Sequence, residues 1–195
     1  MTAKQTSKLL SSLFSRIDIE ERLTVLHIGP ALPETVEYFS NFRCKLFFVD
    51  LFSELPQSSD EEGAPSLEEQ FAGLLDFPEG TKFDLCLFWD IFNFLDSIAI
   101  AAFLGELRPY VTSSTLAHGF AAYKRSTPQT GHLYGIADQG TVNIRPRGQL
   151  MSTYTPHAQN ELKSRLDYFG ISRSVLLPDS RLELLFSISQ PGKLA

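Results

Sequence analysis

One strand–turn–helix–strand segment limits the possible folds of this chain more than any other. Residues 24–28 form a short apolar run of strand type, and a second apolar run, 45–49, ends at Asp50. Gly29 opens the turn between them, and Pro33 suits the first turn of a helix, where its missing N–H costs nothing. The pattern predicts a βαβ unit with an acid at the end of its second strand, which is the layout of a nucleotide-binding half.

Further apolar runs extend this alternation of strands and helices. Residues 83–89 are nearly all apolar, which predicts a central strand buried on both faces. Residues 97–107 predict a helix with Ser97 as its N-cap, and the Thr-Pro pair at 155–156 predicts the start of another helix. The turn residues 178–180 then join two strand-like runs, as in a β-hairpin.

The stretches between these elements are less regular. An N-terminal helix is predicted within residues 1–20, and 53–66 is an acidic loop. Residues 67–75 favour a helix over a strand. The mixed segment 124–155 predicts a long excursion with one or two short extended pieces, of the kind that often covers a site. We expect one domain over residues 1–195.

Composition narrows the class of protein. A net charge of −6 gives no general attraction to nucleic acid, so no nucleic-acid partner is expected. The lone residues Cys44 and Cys86, with no secretory leader, favour a reducing cytosol and therefore a cytoplasmic protein. No apolar run is long enough to span a membrane, and no cluster has metal-ligand spacing. The sequence leaves the oligomeric state open.

Four segments carry a resemblance to a known family. They are VLHIGPA, FVD, LLDFPEGTKFDLCLFWDIFNFLD and YTPHAQNELKSRLDYFGISRSVLL. The order of these four segments along residues 9–190 resembles that of the class I S-adenosylmethionine-dependent methyltransferases. The resemblance implies a three-layer, Rossmann-like α/β fold, with a mostly parallel sheet of seven strands that ends in an antiparallel hairpin. It also implies S-adenosylmethionine as cofactor and methyl transfer to an acceptor that the sequence does not name.

The first motif of the family departs from its usual form here. The family pattern is an acid, one residue, and a glycine-x-glycine type of turn. In this chain His27 replaces the acid, and Gly29 is followed by Pro30 and Ala31. A side chain in place of glycine restricts the backbone, and proline removes an N–H donor. The turn is therefore either a tolerated variant of the cofactor loop or a turn that no longer binds a ligand. For His27 itself, a hydrogen-bonded buried histidine is favoured over a catalytic base.

Asp50 follows Gly29 at about the separation from which such an acid reaches ribose hydroxyls. Leu51 and Phe52 would then flank an adenine. The resemblance assigns further cofactor contacts to Asp76, Phe77, Trp89 and Asp90. An exposed loop position for Asp76 stays open, because the third strand that would carry it is weakly indicated.

The acceptor side of the site has fewer indications. Candidates that follow the predicted strands or lie in the long excursion are Asn93, Tyr123, His132 and Tyr134. No catalytic residue is identified, and a general base is not obligatory for methyl transfer, because positioning supplies much of the rate. Arg145 and Arg147 flank a proline, and a solvated loop is favoured over pairing with an anionic acceptor.

Three functions are compatible with these residues. The first is a small methyltransferase, and the second is a catalytically inactive descendant of that fold that serves as a binding or assembly module for a protein partner. The third, a nicotinamide-dependent reductase, is disfavoured by the single-glycine turn and the terminal hairpin. The choice between the first two depends on whether the turn still admits a cofactor beside Gly29.

Overall fold

Two β-sheets organise the described part of the chain. The computed structural model describes residues 2–18, 20–53, 55–56, 63–148, 151 and 153–189. The strands are β1 (Ala3–Thr6), β2 (Leu23–Ile28), β3 (Cys44–Val49), β4 (Phe83–Trp89), β5 (Val111–Ala122), β6 (His132–Asp138), β7 (Thr141–Pro146), β8 (Phe169–Leu176) and β9 (Arg181–Ile188). The helices are α1 (Leu10–Phe14), α2 (Pro33–Phe39), α3 (Leu67–Leu74), α4 (Ser97–Leu107) and α5 (Gln159–Arg165), with short 3-10 turns at Ile91–Asn93 and Arg108–Tyr110.

The larger sheet has the order β3-β2-β4-β5-β9-β8. Its first four strands are parallel, whereas β9 runs antiparallel to β5, and β8 antiparallel to β9. Helices α3, α4 and α5 contribute to an apolar cluster on one face of this sheet. Helices α1 and α2 contribute to a cluster on the other face. The predicted three-layer α/β fold, with a mostly parallel sheet ending in an antiparallel hairpin, is confirmed.

The sheet lacks one strand that the resemblance implies. Between β3 and β4, the described residues form helix α3 and no strand, so β3 is an edge strand in the described part of the chain. The helix begins with a capping box, in which Ser66 Oγ accepts from the Glu69 N–H and the Glu69 carboxylate accepts from the Ser66 N–H. Leu67 and Phe71 bury the inner face of this helix. Local capping and apolar spacing thus explain the helix that the sequence predicts here.

A second, smaller sheet has the order β1-β7-β6 and is antiparallel throughout. Its β6–β7 hairpin accounts for the extended pieces expected in segment 124–155. Its first strand, β1, replaces part of the predicted N-terminal helix, which is limited to residues 10–14. The backbone of residues 3–6 pairs with β7 instead, and the Ser7 hydroxyl accepts from the Leu10 N–H at the start of the helix.

The segment before α5 also departs from its prediction. Thr155 does not cap a helix, because its N–H donates to the Asn93 carbonyl at 2.7 Å. His157 is buried and its Nε2 lies 2.8 Å from the Leu95 carbonyl. These contacts hold the segment against the loop after β4, and the helix begins only at Gln159. At α4 the N-cap is Asp96 rather than Ser97, since the Asp96 carboxylate accepts the first free N–H groups of that helix.

A buried carboxylate on β9 joins the N-terminal segment to the sheet. Glu183 has no exposed surface, and its oxygens accept from the Lys8 N–H at 2.8 Å and the Leu9 N–H at 3.2 Å. The Ser7 hydroxyl and His118 Nε2 complete its partners. Burial alone would raise the pKa of Glu183, but the hydrogen bonds from His118 and Ser7 lower it. The carboxylate is therefore ionised at neutral pH and stabilises the docked segment.

We expect Glu183→Ala to reduce the free energy of unfolding by about 3–5 kcal/mol, because it leaves several buried donors without an acceptor. Glu183→Gln, which keeps the shape and one acceptor oxygen, should be less destabilising. Chemical denaturation at pH 7 measures both effects. Arg125→Ala, which breaks an exposed ion pair with Glu161, is the control and should change stability little. An equally small loss for Glu183→Ala would contradict the role assigned to the carboxylate.

Candidate active site at the carboxyl ends of the parallel strands

The ends of β2 and β3 meet at the edge where open α/β sheets bind ligands. The Gly29 N–H donates to the Val49 carbonyl at 2.7 Å, which holds the turn after β2 against the last residue of β3. Gly29 has φ +125°, a conformation that side chains rarely adopt. Asp50 follows Val49 directly, so the predicted glycine turn and the predicted acid lie side by side.

The Asp50 carboxylate is half-buried and already has local partners. One oxygen accepts from the Phe52 N–H at 3.2 Å, and the other accepts from the Ser53 hydroxyl. These bonds orient the carboxylate and build the turn that follows β3. Each oxygen has a second lone pair, so the carboxylate retains acceptor capacity for a ligand diol.

His27 and Trp89 form a buried pair beneath the turn. The Trp89 Nε1–H donates to His27 Nε2 at 2.9 Å, and both side chains are only 1% exposed. Burial lowers the pKa of His27 to about 4, so the imidazole is neutral at physiological pH. The prediction of a hydrogen-bonded, buried histidine is confirmed. Trp89 has φ +49°, an uncommon value for a bulky residue, and this conformation ends β4 at the site.

The ring of Tyr134 stacks on Trp89 from the small sheet. The two ring centroids are 5.4 Å apart, at an angle of 11°. The Tyr134 hydroxyl accepts from Arg181 Nη1 at 3.0 Å and lies 3.4 Å from Asp90 Oδ2. The small sheet thus packs on the end of β4 and places Tyr134 next to Asp90.

Asp90 is a buried acid in the middle of this arrangement. Its side chain is 2% exposed. Burial raises its pKa to about 6, even though the nearby Arg147 and Arg181 guanidinium groups and the Tyr134 hydroxyl lower it. The protein therefore holds a carboxyl group with a near-neutral pKa at the carboxyl end of β4, which is a common property of functional sites.

Arg147 lies inside the site, and the prediction that it belongs to a solvated loop is wrong. Its side chain is 9% exposed. The guanidinium carbon is 3.6 Å from the ring centroid of Phe52 and 5.3 Å from that of Phe94. Its Nη2 donates to the His132 carbonyl at 2.7 Å and lies 3.4 Å from Asp90 Oδ1. Arg145, by contrast, is partly exposed and pairs with Glu34.

These side chains fill the space in which a cofactor would lie. The cavity beside Gly29 has a volume of about 10 Å³, about enough for one water molecule, whereas ligand sites usually measure about 300–1,000 Å³. A Cβ added to Gly29 would lie 3.7 Å from His27 Cε1 and 3.9 Å from the Phe52 ring. The Phe52 ring and the Arg147 guanidinium that lies over it line this small cavity together with His27 and Pro30. In this conformation the crevice does not accommodate S-adenosylmethionine.

A larger cavity, of about 250 Å³, lies at the start of α4. Its lining residues are Pro56, Leu67, Phe94, Asp96, Ala99, Thr153 and Thr155. The rings of Phe52 and Phe94 meet edge to face at 5.6 Å. Phe52 lines the small cavity and Phe94 the large one, and the Arg147 guanidinium lies over both rings.

Several predicted cofactor contacts lie elsewhere in the structure. Leu51 is fully buried in the core. Phe77 packs on Phe83, at the start of β4, and on Tyr110, directly before β5. It therefore lies at the amino ends of these strands, away from the crevice. Asp76, its neighbour, is exposed there. Pro30 lines the small cavity, whereas Ala31 is exposed on the turn.

The acceptor-side candidates are also divided. His132 and Tyr134 line the small cavity. The Asn93 side chain is buried, and its Oδ1 accepts from the Ala122 N–H at 2.9 Å, which is a structural contact. Tyr123 is 47% exposed on the loop after β5. The structure thus brings two of the four candidates to the crevice.

Two residues of the crevice, Phe94 and Arg147, have no site role in the sequence prediction. The alternation of buried Val142 and Ile144 in TVNIRP is a strand signal that places Arg147 just beyond a strand end. Nothing local indicates which partners that strand meets. In the described part of the chain, no group of three or more His, Cys, Asp or Glu side chains could hold a metal ion. No helix among the described residues is long and apolar enough to cross a membrane.

Comparison with known proteins identifies the fold. No protein-family model and no curated protein matches the chain. Among solved structures, the 1,6-didemethyltoxoflavin-N1-methyltransferase of Burkholderia thailandensis, with bound 1,6-didemethyltoxoflavin and S-adenosylhomocysteine, is similar with a TM-score of 0.53. The identity is 13%, over 94% of this chain and 78% of that chain. An S-adenosylmethionine-dependent methyltransferase of Clostridium acetobutylicum also has a TM-score of 0.53, with 12% identity over 93% of this chain and 89% of that chain.

A complex of LepI with S-adenosylmethionine has a TM-score of 0.54, with 11% identity over 94% of this chain and 47% of that chain. This chain likewise spans about half the length of several other matched proteins. These similarities concern the fold: the chain shares a Rossmann-like α/β fold with these methyltransferases, as the resemblance implies.

We expect the Asp90 carboxyl to titrate near pH 6, because burial raises its pKa. An acid whose pKa is higher in the folded than in the unfolded state binds its proton more tightly when folded. Its contribution to stability therefore falls as pH rises from about 4 to about 6. Arg147→Ala should raise this pKa further, since it removes a charge that lowers it. Carbon-13 NMR of the carboxyl carbon measures the titration.

Arg145→Ala is the matched control for this titration, because Arg145 lies on β7, two residues before Arg147, and pairs with Glu34. It should leave the Asp90 titration unchanged. A midpoint at or below pH 4 in the unmodified protein would contradict the burial described for Asp90.

Proposed function

We propose that this chain is a methyltransferase-like protein that binds S-adenosylmethionine in the crevice at the ends of β2, β3 and β4 and transfers a methyl group to an unidentified acceptor. One observation carries the proposal: Gly29, at φ +125°, is hydrogen-bonded to the strand that ends in Asp50. A glycine turn of this kind permits close backbone approach of a ligand, and an adjacent carboxylate can accept from a ribose diol. Solved structures of similar fold contain S-adenosylhomocysteine and S-adenosylmethionine, which supports this choice of cofactor.

Binding in this crevice requires a rearrangement of side chains. The Gly29 backbone and the Asp50 carboxylate lie side by side, but the space beside them is too small for a cofactor. An added Cβ at Gly29 would meet two side chains, His27 at 3.7 Å and Phe52 at 3.9 Å. In this proposal, withdrawal of the Arg147 guanidinium and rotation of Phe52 open the crevice, and the backbone of the sheet keeps its position.

A catalytically inactive binding or assembly module is the second candidate. The filled crevice favours it, because Arg147 and Phe52 occupy the volume that a cofactor would need. In this second function the guanidinium permanently replaces a ligand, and the fold serves to present its surface to a protein partner. The cytoplasmic location and the single domain stay predictions from the sequence in either case.

We expect S-adenosylmethionine and S-adenosylhomocysteine to bind the purified protein, as measured by isothermal titration calorimetry and by thermal shift. Asp50→Asn should weaken binding about 10- to 100-fold, because a hydrogen bond to a charged group is worth about 1.5–3 kcal/mol. Asp18→Asn is the control, since Asp18 is exposed on the loop after α1. If neither the unmodified protein nor Arg147→Ala binds either compound at millimolar concentration, the cofactor proposal is wrong and the inactive module is supported.

A further inference from the structure

The Arg147 guanidinium occupies a cage of two aromatic rings and a carboxylate. The Phe52 ring lies 3.6 Å from the guanidinium carbon, the Phe94 ring 5.3 Å, and Asp90 Oδ1 lies 3.4 Å from Nη2. The two rings are perpendicular, at 89°, so they form adjacent walls. Aromatic faces within about 6 Å attract cations, and the attraction is strongest where water is excluded. These three side chains have the composition of a binding site for an organic cation.

Arg147 satisfies this cage incompletely. Its Nε is buried and has no hydrogen-bond partner among the described residues. Its contact with Asp90, at 3.4 Å, is longer than a well-formed charge-assisted hydrogen bond, which measures about 2.7–2.9 Å. Burial lowers the pKa of Arg147, so the loss of hydration is the largest influence on this guanidinium, ahead of Asp90. The guanidinium also has contacts outside the cage, because its Nη2 donates to the His132 carbonyl at 2.7 Å and its Nη1 lies 3.3 Å from Met151 Sδ. Within the cage, a desolvated cation with a long contact to its carboxylate can be replaced by one that fits better.

The main chain at Arg147 is anchored independently of its side chain. The Arg147 N–H donates to the Gly131 carbonyl at 2.7 Å, just after the end of β7. Withdrawal of the guanidinium therefore does not require this backbone contact to break.

We propose that Phe52, Phe94 and Asp90 form a binding site for an organic cation, which Arg147 fills as an internal ligand and which an external sulfonium, ammonium or guanidinium group takes when Arg147 withdraws. The cage is defined by its own geometry, independently of the proposed function. Its use for the sulfonium of S-adenosylmethionine rests on the proposed function. There it would favour the cationic cofactor over its neutral product, S-adenosylhomocysteine, and Arg147 would compete with the cofactor.

The test uses an Arg147→Ala variant, which lacks the guanidinium, and adds small molecules that can replace it in the cage. Methylguanidinium and methylurea have nearly the same shape and differ in charge. We expect a saturable rise in the melting temperature of Arg147→Ala with methylguanidinium, at millimolar concentrations below those that denature proteins, and at least a tenfold weaker effect with methylurea. The unmodified protein, whose cage is filled, should show no saturable rise. Equal responses to the two probes, or no response, would overturn the cage.

Further variants locate the effect in the cage. In the Arg147→Ala background, Phe52→Leu and Asp90→Asn should each weaken methylguanidinium binding at least fivefold. Arg145→Ala is the matched control, because it removes an arginine two residues away that pairs with Glu34 outside the cage, and it should not create a methylguanidinium site. If Arg147→Ala does not fold, Arg147→Gln retains part of the side-chain volume and the same pair of probes applies. Binding that persists in both cage variants would place the cation elsewhere and refute the assignment.

Titration of Arg147→Ala with the cofactor and its product separates this inference from the proposed function. The cage predicts that S-adenosylmethionine gains more affinity from Arg147→Ala than S-adenosylhomocysteine does, by at least fivefold. If the variant binds methylguanidinium in the cage but neither adenosyl compound, the cage stands and the proposed function fails. If both adenosyl compounds bind with equal gains and methylguanidinium does not, the function stands and the cage fails.

Discussion

The stack of Tyr134 on Trp89 is the contact on which the arrangement of the site depends. It joins the small antiparallel sheet to the end of the central strand β4, at a ring separation of 5.4 Å. Because Tyr134 covers that end, Asp90 is removed from water and the β6–β7 hairpin has a fixed position above the crevice. Arg147, at the end of that hairpin, is then directed onto Phe52. This aromatic contact thus joins the hairpin that leads to Arg147 to the end of β4 that is followed by Asp90.

The electrostatics of the crevice follow from this closure. Two arginines, Arg147 and Arg181, approach one buried carboxylate, and Tyr134 accepts from Arg181. None of these ions is fully hydrated, so the cost of removing each charge from water is offset by its contacts with the others. Such a network keeps one geometry while it is complete and becomes costly when one member is removed. A ligand that brings its own positive charge can take the place of Arg147 without leaving Asp90 unpaired.

Sequence reasoning succeeded where the signal was local. The apolar runs at 24–28, 45–49 and 83–89 predicted the parallel core, because strands buried on both faces need no distant partner to be recognised. The turn residues 178–180 predicted the hairpin for the same reason. The order of these elements was enough to indicate the methyltransferase fold.

The remaining features depend on contacts between distant parts of the chain. Strand β1 exists because Ala3 pairs with Ile144, which no local pattern shows. Thr155 looks like an N-cap, but its N–H is held by the Asn93 carbonyl, so the helix starts later. Arg147 has the composition of a loop residue, and its burial arises from rings contributed by two other segments. Propensity and periodicity do not report such contacts.

The carboxylate of Glu183 also has a consequence for the order of assembly. It receives the backbone of residues 8 and 9, and its partner Ser7 is 176 positions away along the chain. The N-terminal segment cannot make these contacts until β9 has been synthesised, although β1 can pair with β7 before that. Contacts of such high sequence separation close a long stretch of chain, which makes their formation slow relative to local contacts.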